Sequence, residues 1–89
     1  MISIEALYNL YLKHKKISTD TRNISEGSLF FALKGDNFNG NQFADKALAS
    51  GAAFAIVDEA EYVVNEQTLL VEDVLTALQD LAKQHRSNL

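Results

Sequence analysis

The chain has 89 residues, 47% apolar and 22% charged, with a formal net charge of −4 at neutral pH. That size supports one domain with a single modest core, and the apolar content excludes a disordered chain. The acidic balance argues against a generic nucleic-acid binder, the absence of cysteine excludes disulfides and thiolate metal sites, and His14 and His85 lack partners at ligand spacing.

Ile4, Leu7, Tyr8 and Tyr11 recur at i, i+3, i+4 and i+7, which predicts an amphipathic helix with Ser3 as its cap. Lys13, Lys15 and Lys16 then read as a solvated helix end whose charge complements the dipole. Residues 17–21 are short and β-branched, hence a strand. Ser25-Glu26-Gly27-Ser28 is turn chemistry, and residues 29–33 are apolar on both faces, as in a strand covered by helices on each side. Gly35 ends that strand, and residues 36–42 form a loop with Asn39-Gly40 as its strongest turn signal. A second helix follows, with Asn41 a candidate cap, Phe43, Ala44, Ala47 and Leu48 on one face, and Gly51 as the stop.

Residues 53–57 and 68–71 are two further strands, with Val63 and Val64 a minor edge. Asp73 reads as the cap of a last helix whose Val74, Ala77, Leu78, Leu81 and Ala82 make a core stripe. The order α-β-β-α-β-β-α predicts a small layered α/β domain, with a mixed sheet of four or five strands flanked by helices. Within it, residues 29–57 should form a parallel crossover. No apolar run reaches a membrane span and no basic-then-apolar leader precedes the first helix, so a cytoplasmic chain with no membrane partner is expected. No apolar seam is left over once the core is assigned, and a monomer is expected.

Two stretches carry candidate chemistry. Residues 34–42 follow a central strand and precede a helix, where open α/β sheets take their ligands. Free N–H groups at that helix start favour phosphate, and Lys34 adds a point charge. Asn37, Asn39, Asn41 and Gln42 offer amides to a base or sugar edge, and Phe38 suits stacking on a base. The same residues also fit a soluble connecting loop whose asparagines serve turns and a cap. Thr19-Asp20-Thr21-Arg22 sets hydroxyls and an arginine at a strand end, suited to a diphosphate; the alternative is a local Asp20–Arg22 ion pair beside strand-forming threonines. Asp58, Glu59 and Glu61 read as solvated surface after a strand, and Tyr62 as a core or edge residue. Nothing points to catalysis: there is no serine–histidine or cysteine–histidine arrangement, no spaced carboxylate pair, and no G-x-x-x-x-G-K-[ST] phosphate loop.

The string TDTRNISEGSLFFALKGDNFNGNQFADKALASGAAFAIV carries a D-S/T-R, G-x-L-F-x-A-L-K-G, F-D/N-G-x-x-F, G-A series. In this it resembles the N-terminal domain of the Mur ligases, most like the UDP-N-acetylmuramoyl-tripeptide:D-alanyl-D-alanine ligases. The resemblance implies a three-domain, ATP-dependent amide-bond ligase of peptidoglycan precursor synthesis. Its first domain would hold the UDP end of UDP-N-acetylmuramoyl tripeptide, its central domain would carry ATP and Mg2+, and its third would help bind D-Ala-D-Ala. Residues 1–89 would then be the UDP-binding domain alone, without cofactor or catalysis of its own.

Carried over residue by residue, the resemblance puts Thr21 and Arg22 near the nucleotide diphosphate and Lys34 and Gly35 at the strand exit. Asp36, Asn37 and Phe38 fall where related ligases line the uracil pocket, and Asn39, Gly40 and Asn41 match a D-G-H segment. Asparagine replaces the family's frequent aspartate at 39 and its frequent histidine at 41, which leaves an amide to cap the helix or donate a hydrogen bond. One alternative within the family is the ligase that adds the third stem-peptide residue. An alternative outside it is a stand-alone α/β interaction module, which would expose an apolar patch beside the sheet in place of a polar cleft.

Overall fold

The computed structural model describes residues 1–35 and 38–87. Helix α1 (Ile4–His14) begins where the Ser3 hydroxyl accepts the Ala6 N–H at 3.1 Å, the expected cap. It ends at Lys15, whose φ of +61° lies in the left-handed region and whose N–H closes on the Tyr11 carbonyl. Strand β1 (Ile17–Ser18) is shorter than residues 17–21. Asp20 accepts the Arg22 N–H at 2.9 Å and turns Thr21–Asn23 into a 3₁₀ turn, so the threonines leave the sheet instead of extending it.

Strand β2 (Leu29–Phe31) is followed by a short hairpin, β3 (Lys34–Gly35) and β4 (Phe38–Asn39), that the sequence pattern does not announce. A 3₁₀ turn (Gly40–Phe43) leads into helix α2 (Ala44–Ala49), which stops before Gly51 at φ +115°. Strand β5 (Phe54–Val57), strand β6 (Thr68–Leu70) and helix α3 (Val74–Ser87) complete the chain. Asp73 accepts the Thr76 N–H at 2.9 Å, the expected cap of α3.

Strands β1, β2, β5 and β6 form one sheet in that order, every pairing parallel. The layered α/β class is borne out, as is parallel pairing between residues 29–31 and 54–56. The antiparallel part of the expected mixed sheet is confined to β3–β4, which stands apart from the four-stranded sheet. Val63 and Val64 form no edge strand; both are exposed, and the Val64 N–H goes to the Thr68 hydroxyl at 3.0 Å instead of to a neighbouring strand.

Side chains alternate across the sheet with the strand period. Leu29, Phe31 and Ile56 pack with Leu7 and Tyr8 of α1 and Val74 and Leu81 of α3. Phe30, Ala55 and Val57 pack on the other face against Ala44 and Ala47 of α2, with Tyr62 half-buried beside them. Each fully buried large side chain contributes roughly 1.5–3 kcal/mol of transfer free energy, so the two faces together fix the register. On α3 the stripe holds for Val74, Ala77, Leu78 and Leu81, while Ala82 is exposed. Because all four strands run the same way, the segments leaving β1, β2, β5 and β6 gather at one edge. That edge carries the charged and amide side chains discussed next.

Candidate functional site

At the exit of β5 and β2 lies a closed polar network. Lys34 Nζ sits 3.1 Å from both Asp58 Oδ1 and Glu59 Oε2. Asn41 is fully buried; its amide nitrogen donates to Asn39 Oδ1 at 2.8 Å and Asp58 Oδ1 at 3.0 Å, and its carbonyl oxygen accepts the Asp58 N–H at 3.0 Å. Asn39 Nδ2 donates to Glu59 Oε2 at 2.6 Å, and Asn39 Oδ1 accepts the Asn41 N–H at 3.0 Å. Asp58 Oδ2 accepts the Val74 N–H at 3.0 Å and so ties the network to the first turn of α3.

Two readings of the sequence are corrected here. Asn39, not Asn41, caps the turn that leads into α2, because the chain enters a 3₁₀ turn at Gly40, before α2 proper. Asp58 and Glu59 are not solvated surface: the Asp58 side chain is only 6% exposed, and both carboxylates are bonded to Lys34 and to the asparagines. Glu61 alone of the three is exposed as expected. Gly40 is required by space. Its N–H reaches the Leu33 carbonyl at 2.9 Å, and an added Cβ would lie 2.3 Å from that oxygen.

The electrostatics follow the geometry. Burial is the largest single influence on Asp58 and pushes its carboxyl up, but the Val74 N–H, the Asn41 amide and the Lys34 ammonium together bring it below its usual value. The Asn39 amide and then the Lys34 ammonium hold Glu59 low. Asp58 first, and Glu59 second, raise Lys34. The cluster therefore holds two carboxylates against one ammonium and is net negative.

The exit of β1 is built the other way. Asp20 takes both Nε and Nη2 of Arg22, at 3.1 and 2.8 Å, so the expected local ion pair is present. That bond, first through the side chain and then through the Arg22 N–H, lowers Asp20. The Arg22 side chain is nonetheless 85% exposed and stands at the rim of a cleft of about 500 Å³. Thr19, Asp20, Thr21, Arg22, Phe30, Phe43 and Lys46 line it. Among the described residues, the Thr19 and Thr21 hydroxyls and the Lys46 ammonium have no partner.

The expected site residues thus divide. Thr21 and Arg22 line the open cleft; Lys34, Asn39, Gly40 and Asn41 belong to the closed network, with Gly35 on the hairpin beside it. Asp36 and Asn37 lie outside the described residues, and Phe38 pairs with Gly35 through its backbone. Sequence reasoning missed Asp58, Glu59 and Lys46; an acid directly after a buried strand was the available signal for Asp58. Among the described residues no group of three His, Cys, Asp or Glu could hold a metal ion, and no helix is long and apolar enough to cross a membrane.

Comparison with known proteins gives a consistent picture. The model of the Mur ligase family, catalytic domain, matches residues 13–86. Over 69 residues the chain is 42% identical to the UDP-N-acetylmuramoyl-tripeptide–D-alanyl-D-alanine ligase of Haemophilus influenzae, covering 78% of this chain and 15% of that protein. Over 76 residues it is 37% identical to the UDP-N-acetylmuramoyl-L-alanyl-D-glutamate–2,6-diaminopimelate ligase of Rickettsia typhi, covering 85% of this chain and 15% of that protein. The crystal structure of the MurF ligase of Thermotoga maritima, in complex with ADP, superposes with a TM-score of 0.75 at 32% identity, over 82% of this chain and 17% of that one. The chain thus spans 15% of the length of these two curated relatives.

Proposed function

The chain belongs to the Mur ligase family, and on that premise we propose that it is the substrate-holding first domain of a UDP-N-acetylmuramoyl-tripeptide:D-alanyl-D-alanine ligase. In this reading it grips the UDP end of UDP-N-acetylmuramoyl tripeptide in the cytoplasm, as a monomer. ATP, Mg2+ and D-Ala-D-Ala are handled by the central and third domains of the parent enzyme. The domain itself contributes position: binding energy from the nucleotide holds a remote peptide carboxylate where an acyl phosphate can form and an amine attack it.

The observation that carries this reading is the open cleft at the carboxyl edge of the parallel sheet, with Thr19 and Thr21 hydroxyls that have no partner among the described residues beside exposed Arg22. Thr21 and Arg22 take the diphosphate, with Arg22 Nη1 still available for a phosphate oxygen. By the family resemblance, Gly35, Asp36, Asn37 and Phe38 are assigned to the uracil. Lys34 and Asn39 of the β3–β4 hairpin, with Gly40 and Asn41 after it, act indirectly, their bonds to Asp58 and Glu59 fixing the hairpin in place. The resemblance of both motifs to one family favours this over a stand-alone interaction module.

An amide-resolved NMR titration with UDP and with UDP-N-acetylmuramoyl tripeptide tests the proposal. Saturable shifts centred on Thr19, Thr21 and Arg22 are expected, with Arg22→Ala weakening binding roughly tenfold, the scale of one lost charge-assisted hydrogen bond. No shifts at millimolar ligand would sink it. A second reading within the family, the ligase that adds the third stem-peptide residue, draws on the 37% identity to the 2,6-diaminopimelate ligase of Rickettsia typhi. Turnover by the parent enzyme, with the nucleotide-linked dipeptide or tripeptide as acceptor, separates the two.

A further inference from the structure

We propose that Lys46, and not Lys34, is the second cation of the diphosphate pocket, an assignment that rests on the reading of this domain as a UDP site. The sequence points to Lys34, which sits in the matching motif. The geometry takes it away. Lys34 lines a different depression, with Leu33, Asp58, Asp73, Val74 and Leu75, and is absent from the cleft that holds Thr21 and Arg22. Its ammonium is held 3.1 Å from each of two carboxylates, one of them almost wholly out of water. Drawing it toward a phosphate would leave Asp58 buried without its counter-charge, and would bring an anion up to a cluster that is already net negative.

Lys46 has none of these obligations. It stands on α2 with its side chain exposed, lines the same cleft as Thr19, Thr21 and Arg22, and has no carboxylate partner among the described residues. In that cleft Asp20 already neutralises Arg22, so among the described residues the uncompensated positive charge belongs to Lys46. Helix α2 has only six residues, so its dipole is a poor substitute for a side-chain charge. Phe30 and Phe43 in the cleft wall keep part of the surroundings apolar, which strengthens an ion pair formed there. Two hydroxyl donors, one guanidinium edge and one free ammonium make a donor set matched to a diphosphate and larger than a monophosphate needs.

The test is calorimetric titration of this chain with UDP and with UMP, for the wild type, Lys46→Met, Lys46→Arg and Lys34→Met, at low and high salt. Lys46→Met is expected to weaken UDP about tenfold and UMP by much less, so that the UDP-to-UMP affinity ratio falls. The salt dependence of UDP binding should fall with it, and Lys46→Arg should restore both. Lys34→Met should weaken the two nucleotides by one common factor, in step with any loss of thermal stability. If Lys46→Met binds UDP as the wild type does, or if Lys34→Met selectively loses UDP, the assignment is overturned while the UDP reading stands. A wild-type chain that binds no UDP overturns both.

Discussion

At the end of β5 the Asp58 side chain is 6% exposed and bonded to Lys34, Asn41 and the start of α3; at the end of β1 the Arg22 side chain is 85% exposed and the hydroxyls on either side of Asp20 have no partner among the described residues. Both clusters sit on the same edge of one sheet, and both contain a cation paired with acid. Their difference lies in how many polar groups are left over. The closed network uses its hydrogen-bonding capacity to pin the β3–β4 hairpin between β5 and α3. The open cleft keeps donors for something outside the chain. A binding edge needs both, because donors in a cleft select a ligand only if the adjoining wall does not move.

The largest way to break the contrast is Gly40→Ala. Its Cβ would meet the Leu33 carbonyl at 2.3 Å, so the hairpin must shift and the network behind it must open. A loss of about 3 kcal/mol is expected in urea unfolding, the upper end of overpacking costs. A loss below about 1 kcal/mol would mean that the hairpin is not anchored as described.

Asp58→Asn sharpens the contrast through pH. The folded chain holds Asp58 and Glu59 below their usual values, so their contribution is complete above the unfolded carboxylate values and is lost as pH falls through the lower, folded ones. Lys34 is raised, so its share is complete below the ordinary lysine value and is lost as pH rises through the higher, folded one. Stability should therefore be flat through neutrality and fall on both flanks. Asp58→Asn is expected to cost roughly 1–3 kcal/mol at neutral pH and to flatten the acid flank, read from denaturation midpoints across pH. An acid flank unchanged in the variant would assign that flank to other carboxylates, such as Asp20.

Thr21→Val is the smallest in stability and the most selective in effect. The hydroxyl has no internal partner among the described residues, so unfolding should move by no more than about 0.5 kcal/mol, while UDP binding weakens severalfold. Equal losses in stability and binding would place Thr21 in the structural network instead of the open cleft.

Much of the scaffold was legible because its signals are local. Ser3 and Asp73 cap the helices they precede, Gly51 stops α2, and the apolar runs at 29–31, 54–57 and 68–70 are strands. The β3–β4 hairpin escaped because two-residue strands are too short to show a period. Asp58 was misread for a related reason: its partners Asn41 and Lys34 lie far away in sequence, and an acid followed by Glu59 and Glu61 has the composition of a solvated turn. The motif at 19–22 was found because hydroxyls and arginine cluster within four residues, yet nothing local revealed that α2 would bring Lys46 to the same cleft.

The strands stand side by side in the order in which they occur along the chain, so no strand must be inserted between two already paired. During synthesis each strand can dock on its predecessor as it emerges, and the face covered by α2 can close once β5 is out. The opposite face cannot. There α1 packs against α3, and the Ile2 N–H bonds to the Leu70 carbonyl at 2.9 Å, so the first helix must wait for the last one to arrive. One side of the domain is thus assembled early from neighbours, and the other is sealed only when its two ends meet.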